Sequence, residues 1–180
     1  MGCRRSRNAA GRLHRFDQQR LAAGARHASQ TLSGRPTPRA ASAKRRATRL
    51  LDRYLRAWER LDLDAFVALL KEDATYTMPP TPQWYAGRKA IFTFFEWAWK
   101  AYDGFRLIPT GANRQPAFAA YSRATAGAPW AAHSVHVLSL ERDTISTLTL
   151  FYKPASPGLL DAFGLPLTLP AATPSGLDQR

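Results

Sequence analysis

Cysteine is almost missing. Cys3 stands alone among 180 residues, so no internal disulfide framework can form and no thiolate zinc site can be assembled. No apolar run approaches the roughly 20 residues that a helix needs to cross a bilayer, which excludes a helical membrane span. Acid is missing from one end. Residues 1–46 hold twelve Lys and Arg but one acid, Asp17, and one aromatic, Phe16. A stretch so poor in large apolar groups cannot offset its chain entropy, and the expectation is a disordered basic tail. Arg4-Arg5 is not followed by an apolar stretch, which argues against a secretory signal. Met1-Gly2-Cys3-Arg4-Arg5-Ser6 has the spacing of a lipidation signal, which so Arg- and Ala-rich a segment meets by chance.

What is present is charge and a core. Lys and Arg number 26 against 13 Asp and Glu, a formal net charge of +13. That excess invites a nucleic-acid or anionic-surface reading. Its placement weakens the reading, because residues 47–180 hold 14 basic and 12 acidic side chains. Hydrophobic residues make up 45%, enough for one globular domain. The chain divides into a tail (1–46), a domain (47–168) and a flexible C-terminal tail (169–180).

Leu50, Leu51, Tyr54, Leu55, Trp58 and Leu61 recur at helical spacing, predicting an amphipathic helix over about residues 43–61. Asp62 is a cap for a short second helix containing Phe66. Ala74–Met78 alternates as a strand and stops at Pro79-Pro80, and the loop that follows carries Trp84 and Tyr85. From Arg88 to about Ala101 a helix is apolar nearly all round, so deep burial is expected, and Arg88 and Lys89 read as its solvated start. The period then changes to two. Strands are expected at 104–112, 115–124, 130–141 and 144–153, joined by short turns at Asn113-Arg114 and Arg142-Asp143. One helical turn is expected around Leu159–Phe163. Helices segregated from an antiparallel sheet make an α+β domain.

The runs Leu51-Asp52-Arg53-Tyr54-Leu55-Arg56-Ala57-Trp58-Glu59, Asp62–Leu70 and Glu72–Pro80 resemble the SnoaL-like family. That resemblance implies the nuclear-transport-factor-two-like cone, a curved antiparallel sheet wrapped around helices. A narrower set of motifs is Met78-Pro79-Pro80, Trp84–Arg88, Asn113-Arg114-Gln115-Pro116-Ala117 and Phe163-Gly164-Leu165-Pro166. It resembles the C-terminal domain of extracytoplasmic-function sigma-70 factors, where a SnoaL-like domain follows the DNA- and polymerase-binding sigma regions. Residues 1–46 show no helix-turn-helix pattern. Read one nucleotide later with high-GC codons, Met1 to about Gln30 can encode a sequence similar to the end of sigma region four. The tail is then expected to be either a frame-shifted remnant or a genuine basic segment.

The resemblance carries expectations for chemistry. Isomerases of this fold use a helix Tyr, an Asp base at the end of the first strand and a protonated Asp on a later strand. The Tyr position falls on Tyr54 and the buried acid near His136, both candidate catalytic residues. The base position falls on Met78, whose thioether accepts no proton at neutral pH, so isomerase chemistry is not expected. The candidate ligand pocket is Tyr54, Trp58, Met78, Trp84, Tyr85, Tyr121 and His136. His133 and His136, three apart on one strand, are expected to face opposite ways and to share no metal. Ser134 and Ser139 have no evident acid–base partners in the sequence, and Trp58 and Trp97 read as core. No metal or cofactor is expected.

The function implied is a non-catalytic regulatory domain of a bacterial, cytoplasmic sigma factor in truncated or frame-shifted form. Its implied partners are RNA polymerase or the sigma core regions, a small apolar ligand, and a second copy in a homodimer. Specific DNA binding by this chain alone is not expected. The alternative is a small-molecule isomerase, cyclase, hydrolase or ligand-binding protein of the same family.

Overall fold

The computed structural model describes residues 37–152 and 155–171, the side chains of 155 and 156 excepted. The expectations for residues 1–36 and for 172–180, including the shifted frame, lie outside the described residues. The chain divides into two units, Met1–Ala40 and Ala41–Arg180, and the fold below is that of the second.

Helix α1 spans Pro38–Glu59. It begins earlier than residue 43, and 38–46 is helix rather than tail. Thr37 and Pro38 form a start signal: the Thr37 Oγ1 accepts from the Ala40 amide at 3.3 Å, and Pro38 fits the first helical position. Ala40, Ala41 and Ala43 then favour continuation. The helix buries Leu50, Tyr54, Ala57 and Trp58. It stops where Leu61 turns left-handed at φ 54, with the Asp62 amide reaching the Ala57 carbonyl at 2.8 Å. Asp62 then caps α2 (Leu63–Val67), accepting from the Ala65 amide at 2.9 Å.

The strands are β1 (Leu70–Thr77), β2 (Trp84–Ala86), β3 (Gly104–Ala112), β4 (Gln115–Arg123), β5 (Trp130–Glu141), β6 (Thr144–Tyr152) and β7 (Thr168–Leu169). Helix α3 (Arg88–Ala98) runs on into a 3₁₀ turn, Trp99–Ala101, and α4 spans Ala155–Ala162. The sheet order is β2-β1-β6-β5-β4-β3, with β7 against β5. The α+β cone is the observed architecture, a curved open sheet with helices. One pairing departs from the antiparallel pattern: β1 lies parallel to β6. Hairpin-linked strands must run antiparallel, but β1 reaches β6 only through α3 and the β3–β6 meander.

The expected hairpin turns are present. Asn113 and Arg114 both take positive φ, 52 and 64, and Arg142 does so at φ 55. The Pro79–Gly87 stretch is not all loop, since Trp84–Ala86 pairs with Thr75–Thr77. Strand β7 crosses the expected boundary at 168 because Trp130 and Ala131 pair with it. Arg88 is not simply solvated. Its Nε donates to the Leu70 carbonyl at 2.7 Å and its guanidinium pairs with Glu72 at 3.3 Å.

Two apolar clusters flank the sheet. The inner one joins α1, α2 and α3 to the concave face through Tyr54, Trp58, Phe66, Phe95, Phe118 and Leu138. The outer one gathers Ala119, Tyr121, Trp130, Val135 and Leu160. Strand alternation assigns each side: Phe118 and Ala120 point in, Ala119 and Tyr121 point out. Helix α3 is less buried than its composition predicts. Ile91 and Phe95 are buried, but Trp97 is 72% exposed.

Candidate functional site

The inner face holds a hydrogen-bonded chain that strand alternation conceals. Ala120 pairs with Ser134 but Tyr121 pairs with Ala132, so His133 is an extra residue in β5. This β-bulge turns two successive side chains, His133 and Ser134, to the same side. The expectation that His133 and His136 face apart is therefore corrected. Ser134 Oγ lies 2.8 Å from His133 Nδ1 and 2.8 Å from His136 Nε2. His136 Nδ1 in turn lies 2.8 Å from the Tyr54 hydroxyl. Ser134 thus has imidazole partners on both sides.

Tyr54, Ser134 and His136 are each 0% exposed. Burial, and then the neighbouring His133, hold the His136 pKa well below the usual histidine value. Burial raises the Tyr54 phenol well above its usual value, Tyr76 adding to the shift and the nearby Trp58 indole opposing it. The link between Tyr54 and His136 is therefore a neutral hydrogen bond at pH 7. The chain is satisfied when Tyr54 donates to His136, His136 to Ser134, and Ser134 to His133. In the reverse sense the Tyr54 hydroxyl hydrogen would have to find an acceptor other than His136.

Above this chain lies a cavity of about 370 Å³. Trp58, Phe105, Trp99 and Leu150 line its inner part, and Tyr85, Phe94 and Trp97 also contribute to its walls. Of the residues proposed from the sequence, Trp58, Met78 and Tyr85 line it. Tyr54 and His136 do not; the Trp58 ring, which does, lies 4.5 Å from the His136 ring. Trp84 is 68% exposed, because β2 is an edge strand whose neighbouring Tyr85 takes the inward side and stacks on Tyr76 at 5.7 Å. Tyr121 points to the outer cluster, where its hydroxyl donates to the Pro166 carbonyl at 2.8 Å.

Several lining residues have no sequence signal of their own. Tyr102 and Tyr152 meet hydroxyl to hydroxyl at 3.2 Å beside His133, and burial first, then this contact, raises the Tyr102 pKa. Met78 is not idle: its Sδ accepts from the Tyr76 hydroxyl at 3.2 Å. The lining contains no Asp or Glu. The Trp58 indole N–H lies against the Tyr54 hydroxyl, and the Trp99 indole N–H is buried away from the cavity surface. Among the described residues, no group of three His, Cys, Asp or Glu lies close enough to hold a metal ion.

Residues 51–147 match the SnoaL-like domain family. The chain belongs to that family. Within it, the chain is 38% identical over 122 residues to a Mycobacterium tuberculosis protein named ECF RNA polymerase sigma factor SigG. The match covers 67% of this chain and 32% of that protein, so the chain spans about a third of its relative's length. Among solved structures, a phenazine biosynthesis-related protein of Pseudomonas aeruginosa aligns with a TM-score of 0.49 at 14% identity, covering 77% of this chain and 97% of that one. An NTF-2-like protein of unknown function from Burkholderia xenovorans aligns with a TM-score of 0.49 at 14% identity, covering 67% and 94%.

The motifs that resemble sigma-factor SnoaL-like domains have structural work of their own. Asn113-Arg114 makes the left-handed turn between β3 and β4, and Gln115 Nε2 donates to Ser139 Oγ at 2.9 Å. In Phe163-Gly164-Leu165-Pro166, Gly164 sits at φ 67. Its amide reaches the Asp161 carbonyl at 2.8 Å and the Leu165 amide reaches Leu160 at 2.9 Å, closing α4 with a left-handed cap. The motif then offers the Pro166 carbonyl to Tyr121.

Proposed function

We propose that this SnoaL-like domain is a non-catalytic regulatory module of an extracytoplasmic-function sigma factor. It acts on transcription initiation through contacts with RNA polymerase or the sigma core regions, and its cavity takes a small apolar ligand. The sigma context is supported by the 38% identity to the mycobacterial sigma factor.

The observation that carries the non-catalytic reading is Met78. Where isomerases of the fold would need a carboxylate, a thioether stands, already holding the Tyr76 hydroxyl. The cavity lining supplies no other carboxylate. The His136–Tyr54 pair cannot substitute, since both residues are fully buried and neither lines the cavity. Ligand sensing is supported by the cavity's about 370 Å³, in the usual range for small-molecule sites, and by its largely aromatic lining.

The test is run-off transcription with the mycobacterial sigma factor, its matching segment replaced by this chain. Transcript output should differ at least threefold from that of the same factor with the segment deleted. Equal output at every promoter tried would overturn the regulatory reading.

A further inference from the structure

The excess charge of the folded unit is carried by one face of one helix. Residues 41–60 contain seven basic side chains against Asp52 and Glu59, while residues 61–180 contain ten of each sign. The start of α1 at Pro38 makes this charge part of the fold rather than of a tail.

Arg45, Arg49, Arg53, Arg56 and Arg60 are all exposed. At about 100° per residue they fall within about 80° of arc, a single stripe. At about 1.5 Å rise per residue the stripe is about 22 Å long. Arg60 extends it past the last assigned helical residue because its amide still bonds the Arg56 carbonyl at 3.1 Å. Among the described residues none of these five guanidiniums has an ion-pair partner; the neighbouring Arg46 does, in Asp143 at 3.4 Å. The acids on the helix do little to neutralise the stripe. Glu59 turns away, its Oε1 accepting from the Leu107 amide at 3.2 Å, and Asp52 is left at the edge of the arc. At one end Arg53, Arg56 and Arg60 border a recess of about 160 Å³, with Asp62 on its rim.

We infer that this face of α1 docks on the phosphate backbone of a nucleic-acid duplex, without reading its sequence. Planar guanidiniums bind phosphate oxygens bidentately, and a duplex offers a phosphate about every 3.4 Å along each strand, so a straight line of arginines finds partners along its whole length. An acidic protein is the weaker fit. Specific protein interfaces have a core of aromatic or aliphatic anchors with charge at the rim. The exposed positions from Ala43 to Arg60 hold no aromatic or large aliphatic side chain.

The experiment uses the full chain, a fluorescein-labelled 20-base-pair duplex of mixed sequence, and the variant Arg49→Gln/Arg53→Gln/Arg56→Gln/Arg60→Gln. Because the tail is the same in both proteins, their difference isolates the stripe. Binding should weaken linearly in log–log plots against salt, and the variant should lose about 3 to 4 units of slope, at about 0.9 per phosphate contact. At 100 mM salt the variant's affinity should fall at least tenfold, and a scrambled duplex should bind the unmodified chain equally well. A variant carrying Lys at the same four positions should retain the slope and guards against a folding defect, as does an unchanged circular-dichroism melt. An unchanged slope in the Gln variant overturns the inference. So does a Gln variant that loses binding to polyglutamate while holding the duplex, which would assign the stripe to an acidic protein instead.

Discussion

Lowering the pH should loosen the fold through His136. The side chain is 0% exposed and faces Tyr54 and Trp58 from α1, Phe118 from β4, and His133 and Ser134 from its own strand. None of these neighbours is an acid that could stabilise an imidazolium. Burial first, and His133 second, depress its folded-state pKa well below the ordinary histidine value. The unfolded chain, with an ordinary value near 6.5, therefore binds the proton more readily than the folded one. A depressed folded pKa makes stability full above about pH 6.5 and lost as the pH falls below it, at up to about 1.4 kcal/mol per unit. While the folded imidazole stays neutral, the loss at pH 5 reaches about 2 kcal/mol. Urea unfolding at pH 5 to 8, comparing the wild type with His136→Gln, separates this contribution from that of the other histidines. The variant should be less stable at pH 7.5 but lack most of the acid-dependent slope. Equal slopes in the two proteins would refute the assignment of the acid sensitivity to His136.

Two further outcomes follow from single contacts. Ser134→Ala removes the hydroxyl that links both imidazoles in a fully buried site, and should cost about 2 to 4 kcal/mol by urea unfolding at pH 7.5; a cost under about 0.5 kcal/mol would break the hydrogen-bonded chain as described. Tyr121→Phe deletes only the bond to the Pro166 carbonyl, so it should cost about 1 kcal/mol globally while amide exchange rises chiefly around Leu165–Leu169; uniform exchange along the chain would contradict a local tether.

The strands were legible because two independent signals agree there. Period-two alternation marked their lengths, and Asn113-Arg114 and Arg142-Asp143 marked where each hairpin reverses, with Asn113, Arg114 and Arg142 held at positive φ. Helix α2 was legible from its Asp62 cap. The start of α1 was not, because a segment dense in arginine reads as solvated tail whether or not it is helical, and only Thr37-Pro38 marked the boundary. The exposure of Trp97 was hidden for a related reason. An apolar residue beside a cavity and one inside a core have the same letter, and α3 supplies both.

The site depended on one residue of register. With β5 in unbroken alternation, His133 would sit on the outer face, and the hydrogen-bonded chain from Tyr54 through His136 would end at Ser134. The extra residue opposite Ala120 and Tyr121 brings His133 inward, among Tyr102, Phe105 and Tyr152. Nothing in Trp130-Ala131-Ala132-His133-Ser134-Val135-His136 marks that insertion, because a bulge needs neither glycine nor proline when the backbone there stays in an ordinary region. The same insertion separates two roles that the resemblance had merged. His133 reaches the cavity wall, whereas Tyr54 and His136 are fully buried and stay out of the lining. A ligand in the cavity would thus meet His133 directly, and Trp58 of α1 as well, with His136 linked to the one through Ser134 and packed against the other.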